Sequence, residues 1–325
     1  MGFEISVGEK FASWVFCRCD LRLPDGPPAT EVGSGLWVST GDELPFNLDT
    51  WWRCQLGELV TDHLEKEASL CLTAKQPSRD PRTLDAEIVL LERKVWFFGL
   101  GVVLSVGVPL SDLSRIVAGG RSEGGFRLKL GTPGHFVRSG GLPRPTAQAE
   151  DFVRAGRFTE RAMSMESERQ SNPELYWRAF SGLDAFDTAV KSPLAHIKLH
   201  QFVRAIESFL PSQTSGESDF SNYCKILCPS NEAELREMYR LLNKAEHHHR
   251  PFAHAFDPVS EPVQTADLRL RQAETLCREL FRRLFADLPD FQVYFRDNSS
   301  LKRFWGDTPA LELAWGPKLD LKHTA

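Results

Sequence analysis

The chain has 325 residues, of which 42 % are apolar and 26 % charged, and its formal net charge is −5. That length and apolar content suit one large or two medium domains with a real core, and the mild acidity excludes a nucleic-acid binder that works through global positive charge. Seven irregularly spaced cysteines in so long a chain do not read as a disulfide framework, so a reducing, cytoplasmic setting is expected. The longest apolar run, 96–110, is interrupted by Gly99, Gly101, Gly107 and Pro109, so neither a membrane span nor a membrane partner is expected.

In chain order, residues 1–150 predict a mainly β or α+β domain. Short apolar runs rich in β-branched and aromatic residues, FASWVFCRC (11–19), SGLWVST (34–40), EIVLLERKVWFFGLGVVLSV (87–106) and FRLKLG (126–131), read as strands between Gly- and Pro-rich turns. The stretch 50–70 has helical spacing. Gly99-Leu-Gly101 is a fragment of a dinucleotide-binding fingerprint, but the third glycine is missing and no helix is expected to follow, so no such site is assigned.

After residue 150 the texture turns helical. Residues 151–171 predict a connecting helix, and four amphipathic segments follow within 172–290. Asn172-Pro173 and Ser192-Pro193 each look like a helix start, Asn231 like a third, and Pro289 stops the fourth. Four such helices predict a helical bundle. The Ser/Gly-rich start of 211–230 reads as a mobile loop. The tail 291–325 holds six aromatics and is expected to pack on the body or on a second subunit.

The third helix of that set ends in AEHHHRPF. At about 100° per residue, Arg240 and His247 fall within roughly 20° of each other, opposite Leu235 and Met238, with Asn243 between them. A guanidinium, an amide and an imidazole on one stripe can hold a phosphate. The chemistry that suits them is RNA cleavage without a metal: the histidine takes the 2′-hydroxyl proton, the 2′-oxygen bonds to phosphorus, and the arginine stabilises the added charge. A solvated helix end, with histidines near the negative pole of the dipole, is the plain alternative.

Residues from about 175 to 290 resemble the HEPN superfamily, on the stretches YWRAFSGLDAFDTAV, KLHQFVRAIESFL and EMYRLLNKAEHHH. The resemblance implies a four-helix bundle that forms a homodimer, and a ribonuclease of bacterial antiphage defence or of a toxin–antitoxin pair, working without a cofactor. Tyr239, Glu246 and His247 match the third-helix pattern of one bacterial branch, and Arg240 with His247 matches the superfamily's spacing of arginine and histidine at its upper limit. His247, Arg240, Asn243 and Glu246 are thereby the catalytic candidates. Arg204, Lys244, His248 and Arg250 are the candidate RNA- and phosphate-binding groups. The sequence departs from that branch at Leu242, where the arginine would stand.

Two other expectations remain open. The same bundle can serve as a non-catalytic module that binds RNA, a nucleotide or a protein, which Leu242 favours. Cys224 and Cys228 with His249 and His254 are a zinc alternative, set against two apolar cysteines packed in a loop. The N-terminal domain would serve as a sensor or regulatory module, meeting a trigger molecule or a phage component.

Overall fold

The computed structural model describes residues 8–23, 29–40, 50–78, 83–111, 113–122, 125–211, 216–248 and 261–322. The chain forms two compact units, one from Met1–Phe136 with Arg144–Met163, the other from Val137–Pro143 with Ser164–Ala325. The fold is mixed α+β, an antiparallel sheet of six strands followed by a largely helical region.

In the first unit, strands β1 (Glu9–Cys17), β2 (Ala29–Gly33), β3 (Leu36–Thr40), β4 (Ala68–Pro77), β5 (Leu113–Ser122) and β6 (Gly125–Gly131) lie in the order β2-β3-β4-β1-β5-β6. β1 sits between β4 and β5 and is buried along almost its whole length. Side chains alternate across a strand, so its two sets of residues serve two cores. Phe11, Val15 and Cys17 join Leu56 and Leu64 from helices α1 (Thr50–Leu56) and α2 (Glu58–Glu67). The alternate set includes Trp14, which lies against Gly99 of helix α3 (Leu84–Val106), and Lys10, which pairs with Glu87 of the same helix. The sheet therefore carries helices on both faces.

Two expectations for this region are corrected. Residues 87–106 are not a strand: they belong to the 23-residue α3. Thirteen of its residues are buried, ten of them between Lys94 and Leu104, so no polar face betrays the helical period there, and an apolar run rich in Val and Phe imitates a buried strand. Length argues the other way, since strands rarely exceed about ten residues. Gly99 and Gly101 serve packing, because a Cβ at either would run into Trp14 or into the backbone of Ala155. Residues 50–70 are also divided: α1 and α2 are separated by Gly57 at φ 80°, and β4 begins at Ala68.

Helix α4 (Ala149–Ser171) is continuous and contributes residues to both units. In the second unit follow α5 (Trp177–Lys191), α6 (Ala195–Glu207), α7 (Glu217–Cys224), α8 (Glu232–His248), α9 (Glu261–Phe281) and, after a π-helical turn over Arg282–Asp287, α10 (Phe291–Tyr294), α11 (Asn298–Gly306) and α12 (Thr308–Trp315). α6 packs on α5, α8 and α9. Phe186, Phe202, Phe209 and Phe281 are fully buried there, with the Phe209 and Phe281 rings edge to face at 4.6 Å.

The helix starts differ in detail from the sequence signals. Asn172 takes up a turn, its Oδ1 accepting from the Glu174 N–H at 3.2 Å, and α5 begins only at Trp177, after Tyr176 at φ 56°. Asn231 does precede α8, but its side-chain oxygen accepts from the Leu321 N–H at 3.0 Å. That bond is one of several that hold the tail. Trp305 Nε1 donates to the Phe209 carbonyl at 2.7 Å, and Phe291, Phe304, Trp315 and Leu321 are buried. Asp297 and Asp307 cap α11 and α12 by accepting from the Ser300 and Ala310 N–H groups.

Candidate functional site

α8 places the residues that the sequence singled out. It runs unbroken from Glu232 to His248, so Arg240 and His247 stand about 10 Å apart along one helix, near the same angular position. Leu235 and Met238 are buried and Arg240 is exposed, as the polar stripe requires. For Asn243, Lys244, Glu246, His247 and His248 the structure describes the helix backbone. His249, Arg250 and His254 lie outside the described residues.

Arg240 has a partner that the sequence did not suggest. Glu217, the first residue of α7, accepts from its Nε at 2.7 Å and from its Nη2 at 2.8 Å. This two-pronged geometry is the one a phosphate would use. Glu217 also meets Arg236 at 3.4 Å, and Arg236 and Lys225 both pair with Glu232. The hydrogen bond from Arg240 is the main reason that the Glu217 carboxyl is held below its ordinary range. α7 lies in the stretch read as a loop. Its Phe220 and Cys224, four residues apart, are buried, and the Phe220 ring lies 5.4 Å from that of Tyr239 on α8. That i, i+4 pair was the available signal, but in eight residues it is too short to stand out.

Arg204 lies elsewhere, in the last turn of α6, where it lines a groove of about 410 Å3 between α5 and α6. Among the described residues it forms no ion pair. Its neighbour Arg178 is engaged along one edge: Nε donates to the Ser208 carbonyl at 3.0 Å, and Nη2 to those of Glu207 and Leu210 at 2.7 and 2.8 Å. The Glu207 carbonyl closes α6 and also accepts from the Leu210 N–H at 3.0 Å, and those of Ser208 and Leu210 lie just beyond it, so Arg178 acts as a side-chain cap on this helix end.

The zinc alternative finds Cys224 and Cys228 in the core. Burial pushes both thiols up, Cys228 to about 12, and the Cys228 thiol donates to the Cys224 carbonyl at 3.2 Å. Among the described residues no group of three or more His, Cys, Asp or Glu is placed to hold a metal ion. Also among them, no helix is long and apolar enough to cross a membrane.

Fold and site thus define a mixed α+β protein with a six-stranded antiparallel sheet, a helical unit and an arginine-bearing stripe on α8. No protein-family model, no curated protein and no solved structure matches the chain.

Proposed function

We propose that the helical unit is a HEPN-like module directed at RNA, and that in an activated state it cuts RNA without a metal. His247 would take the 2′-hydroxyl proton, the 2′-oxygen would bond to phosphorus, and the 5′-oxygen would leave with a proton. The products would be a 2′,3′-cyclic phosphate and a 5′-hydroxyl. Arg240 would stabilise the charge on the phosphoryl oxygens, with Asn243 and Glu246 orienting the pair. Lys244, His248 and Arg250 would contact neighbouring phosphates. The setting would be cytoplasmic antiphage defence or a toxin–antitoxin pair. A homodimer through the helical unit would form the cutting groove, and the sheet-bearing unit would sense the trigger.

The observation that carries this reading is the unbroken course of α8 from Glu232 to His248, which keeps Arg240 and His247 two turns apart on one stripe. Incubation of purified protein with RNA in EDTA tests it. The expected result is cleavage with cyclic-phosphate ends that His247→Ala abolishes. RNA left intact with the trigger present, or cleavage that survives His247→Ala, would overturn the catalytic claim.

A second reading is favoured by the Glu217 carboxylate on Arg240 and by Leu242: a degenerate site that binds RNA, a nucleotide or a partner protein without chemistry. Binding of RNA without cleavage, under every activating condition, is its expected signature.

A further inference from the structure

We infer that the groove between α5 and α6 is a binding site for a short stretch of single-stranded RNA, in which Trp177 stacks a base and Arg204 holds a phosphate. This deepens the reading of the helical unit as RNA-directed, adding a contact surface apart from the α8 stripe, and its test does not depend on cleavage.

The groove is built before any ligand arrives. α5 and α6 run antiparallel, and Gly182 lets them approach, since a Cβ there would strike Ser208 and Phe281. Arg178 then ties α5 to the end of α6 through three carbonyls. Such a floor does not have to be ordered on binding.

Its walls carry complementary chemistry. Trp177, Ser181, Asp184 and Thr188 recur every three or four residues on α5, and Gln201 and Arg204 face them from α6. Trp177 is 42 % exposed, and the Arg178 guanidinium lies over its ring, 5.6 Å from the centroid, so a base would stack on the indole beside that cation. Arg204 and Asp184 form no ion pair among the described residues, so neither charge is spent. Arg178 faces Glu207, which offsets it. Among the described residues, the Arg204 guanidinium and the Asp184 carboxylate of the groove are thus without an ion pair.

Spacing selects the ligand. Trp177 and Asp184 are seven residues apart, about 10 Å along α5. Gly182 packs on Ser208, and from that level Asp184 and Arg204 lie toward the α5–α6 turn by about 3 Å and about 6 Å at the backbone. A single nucleotide stacked on Trp177 would not reach them, whereas a strand of two or three nucleotides would. Its first base would stack on the indole, a following phosphate would meet Arg204, and the 2′-hydroxyl or an amino edge would donate to Asp184. Ser181, Thr188 and Gln201 would satisfy the remaining polar edges. With one phosphate contact and a carboxylate nearby, stacking leads and electrostatics follow.

The test is fluorescence anisotropy of a labelled six-nucleotide RNA of mixed sequence, using full-length protein in the His247→Ala background so that nothing is cut. Binding should weaken about tenfold or more with Trp177→Ala and recover with Trp177→Phe. Arg204→Gln should weaken binding and lower the slope of log affinity against log salt by about 0.7. The DNA version should bind less tightly, and Asp184→Asn should narrow that difference. Affinities unmoved by Trp177→Ala and Arg204→Gln would overturn the site. So would a Trp177→Ala protein that changes its oligomeric state while binding RNA as before, because the groove would then be a protein interface. Tight binding that needs Trp177, in a protein that never cleaves RNA, would sink the ribonuclease reading and leave the groove standing. Cleavage by the His247-bearing protein that is indifferent to both groove variants would do the reverse.

Discussion

Glu217 holds Arg240 through two parallel hydrogen bonds of 2.7 and 2.8 Å, across 23 residues of sequence and between two helices. A carboxylate in this position takes the Nε–Nη2 edge of the guanidinium, the edge for which, under the proposed RNA-directed reading, a phosphate would compete.

Glu217→Gln keeps the shape and removes the charge. RNA should bind more tightly to this variant than to the parent at neutral pH, and Arg240→Gln should reverse the gain. Because the Glu217 carboxyl is held below its ordinary range, the clamp is fully present above that range and is lost as pH falls through the folded value. RNA affinity equal in parent and Glu217→Gln proteins, across that range, would show that the pair does not gate the stripe.

A second prediction concerns Arg283, which is buried in the π-helical turn. It donates to the carbonyls of Trp315 and Pro317 and pairs with Glu279 at 3.1 Å. Arg283→Met leaves two carbonyls without a donor and a carboxylate with one guanidinium fewer. The expected loss is about 3 kcal/mol, seen as a fall in Tm of about 10 °C.

The same site has a pH signature. Burial raises the Glu279 carboxyl, but Arg282 and Arg283 outweigh it and the net direction is down. Its contribution is therefore full above the ordinary glutamate value and is lost as pH falls below it. In Arg283→Met that acid loss should shrink, which urea melts between about pH 5 and pH 3 would register. An acid limb as steep as the parent's would contradict the assignment.

Gly99 offers a packing test. Trp14 is fully buried, stacked on Phe16 with centroids 5.0 Å apart, and cannot swing away from a new methyl group on α3. Gly99→Ala should cost about 1–3 kcal/mol through overpacking, although alanine is the better helix former. Gly306 in α11 has nothing within 4 Å of a built Cβ, so Gly306→Ala should be neutral or stabilising. In thermal melts Gly99→Ala should fall below the parent and Gly306→Ala should not; equal melting points would refute the packing account.

Thiol chemistry provides the last test. Cys54 is exposed, whereas Cys17, Cys71, Cys224, Cys228 and Cys277 are buried and Cys19 is partly so. Burial pushes Cys17 up to about 11 and Cys19 and Cys228 to about 12. A thiol is reactive as its thiolate, so DTNB should find one fast-reacting group in the native protein, and Cys54→Ser should remove it. Fast reaction at Cys224 or Cys228 would show that these two are not core residues.

How much was legible depended on whether a pattern is local. The short apolar runs rich in β-branched and aromatic residues around 11–19, 34–40 and 126–131, set between turn signals, mark β1, β3 and β6. The amphipathic period over 195–207 and 232–248 marks α6 and α8 in the same way. α3 stayed hidden because its second half, from Lys94 to Leu104, is buried almost all round and has no polar face to reveal its turn, while exposed Val89 and Leu90 blur the face of the first half. α7 stayed hidden because two buried apolar residues in eight, Phe220 and Cys224, leave almost no period.

The angular kinship of Arg240 and His247 follows from 3.6 residues per turn, and no fold is needed to derive it. The pairing of Arg240 with Glu217 needed the fold, since no rule of local spacing joins residues on separate helices. So did the groove at Arg204, whose opposite wall belongs to α5 and whose neighbour Arg178 is spent on the end of α6. Chain-local geometry settles which way a side chain points along its own helix. What stands across from it is set by helix packing, and here that comes down to a glycine at 182 that lets α5 and α6 close on each other.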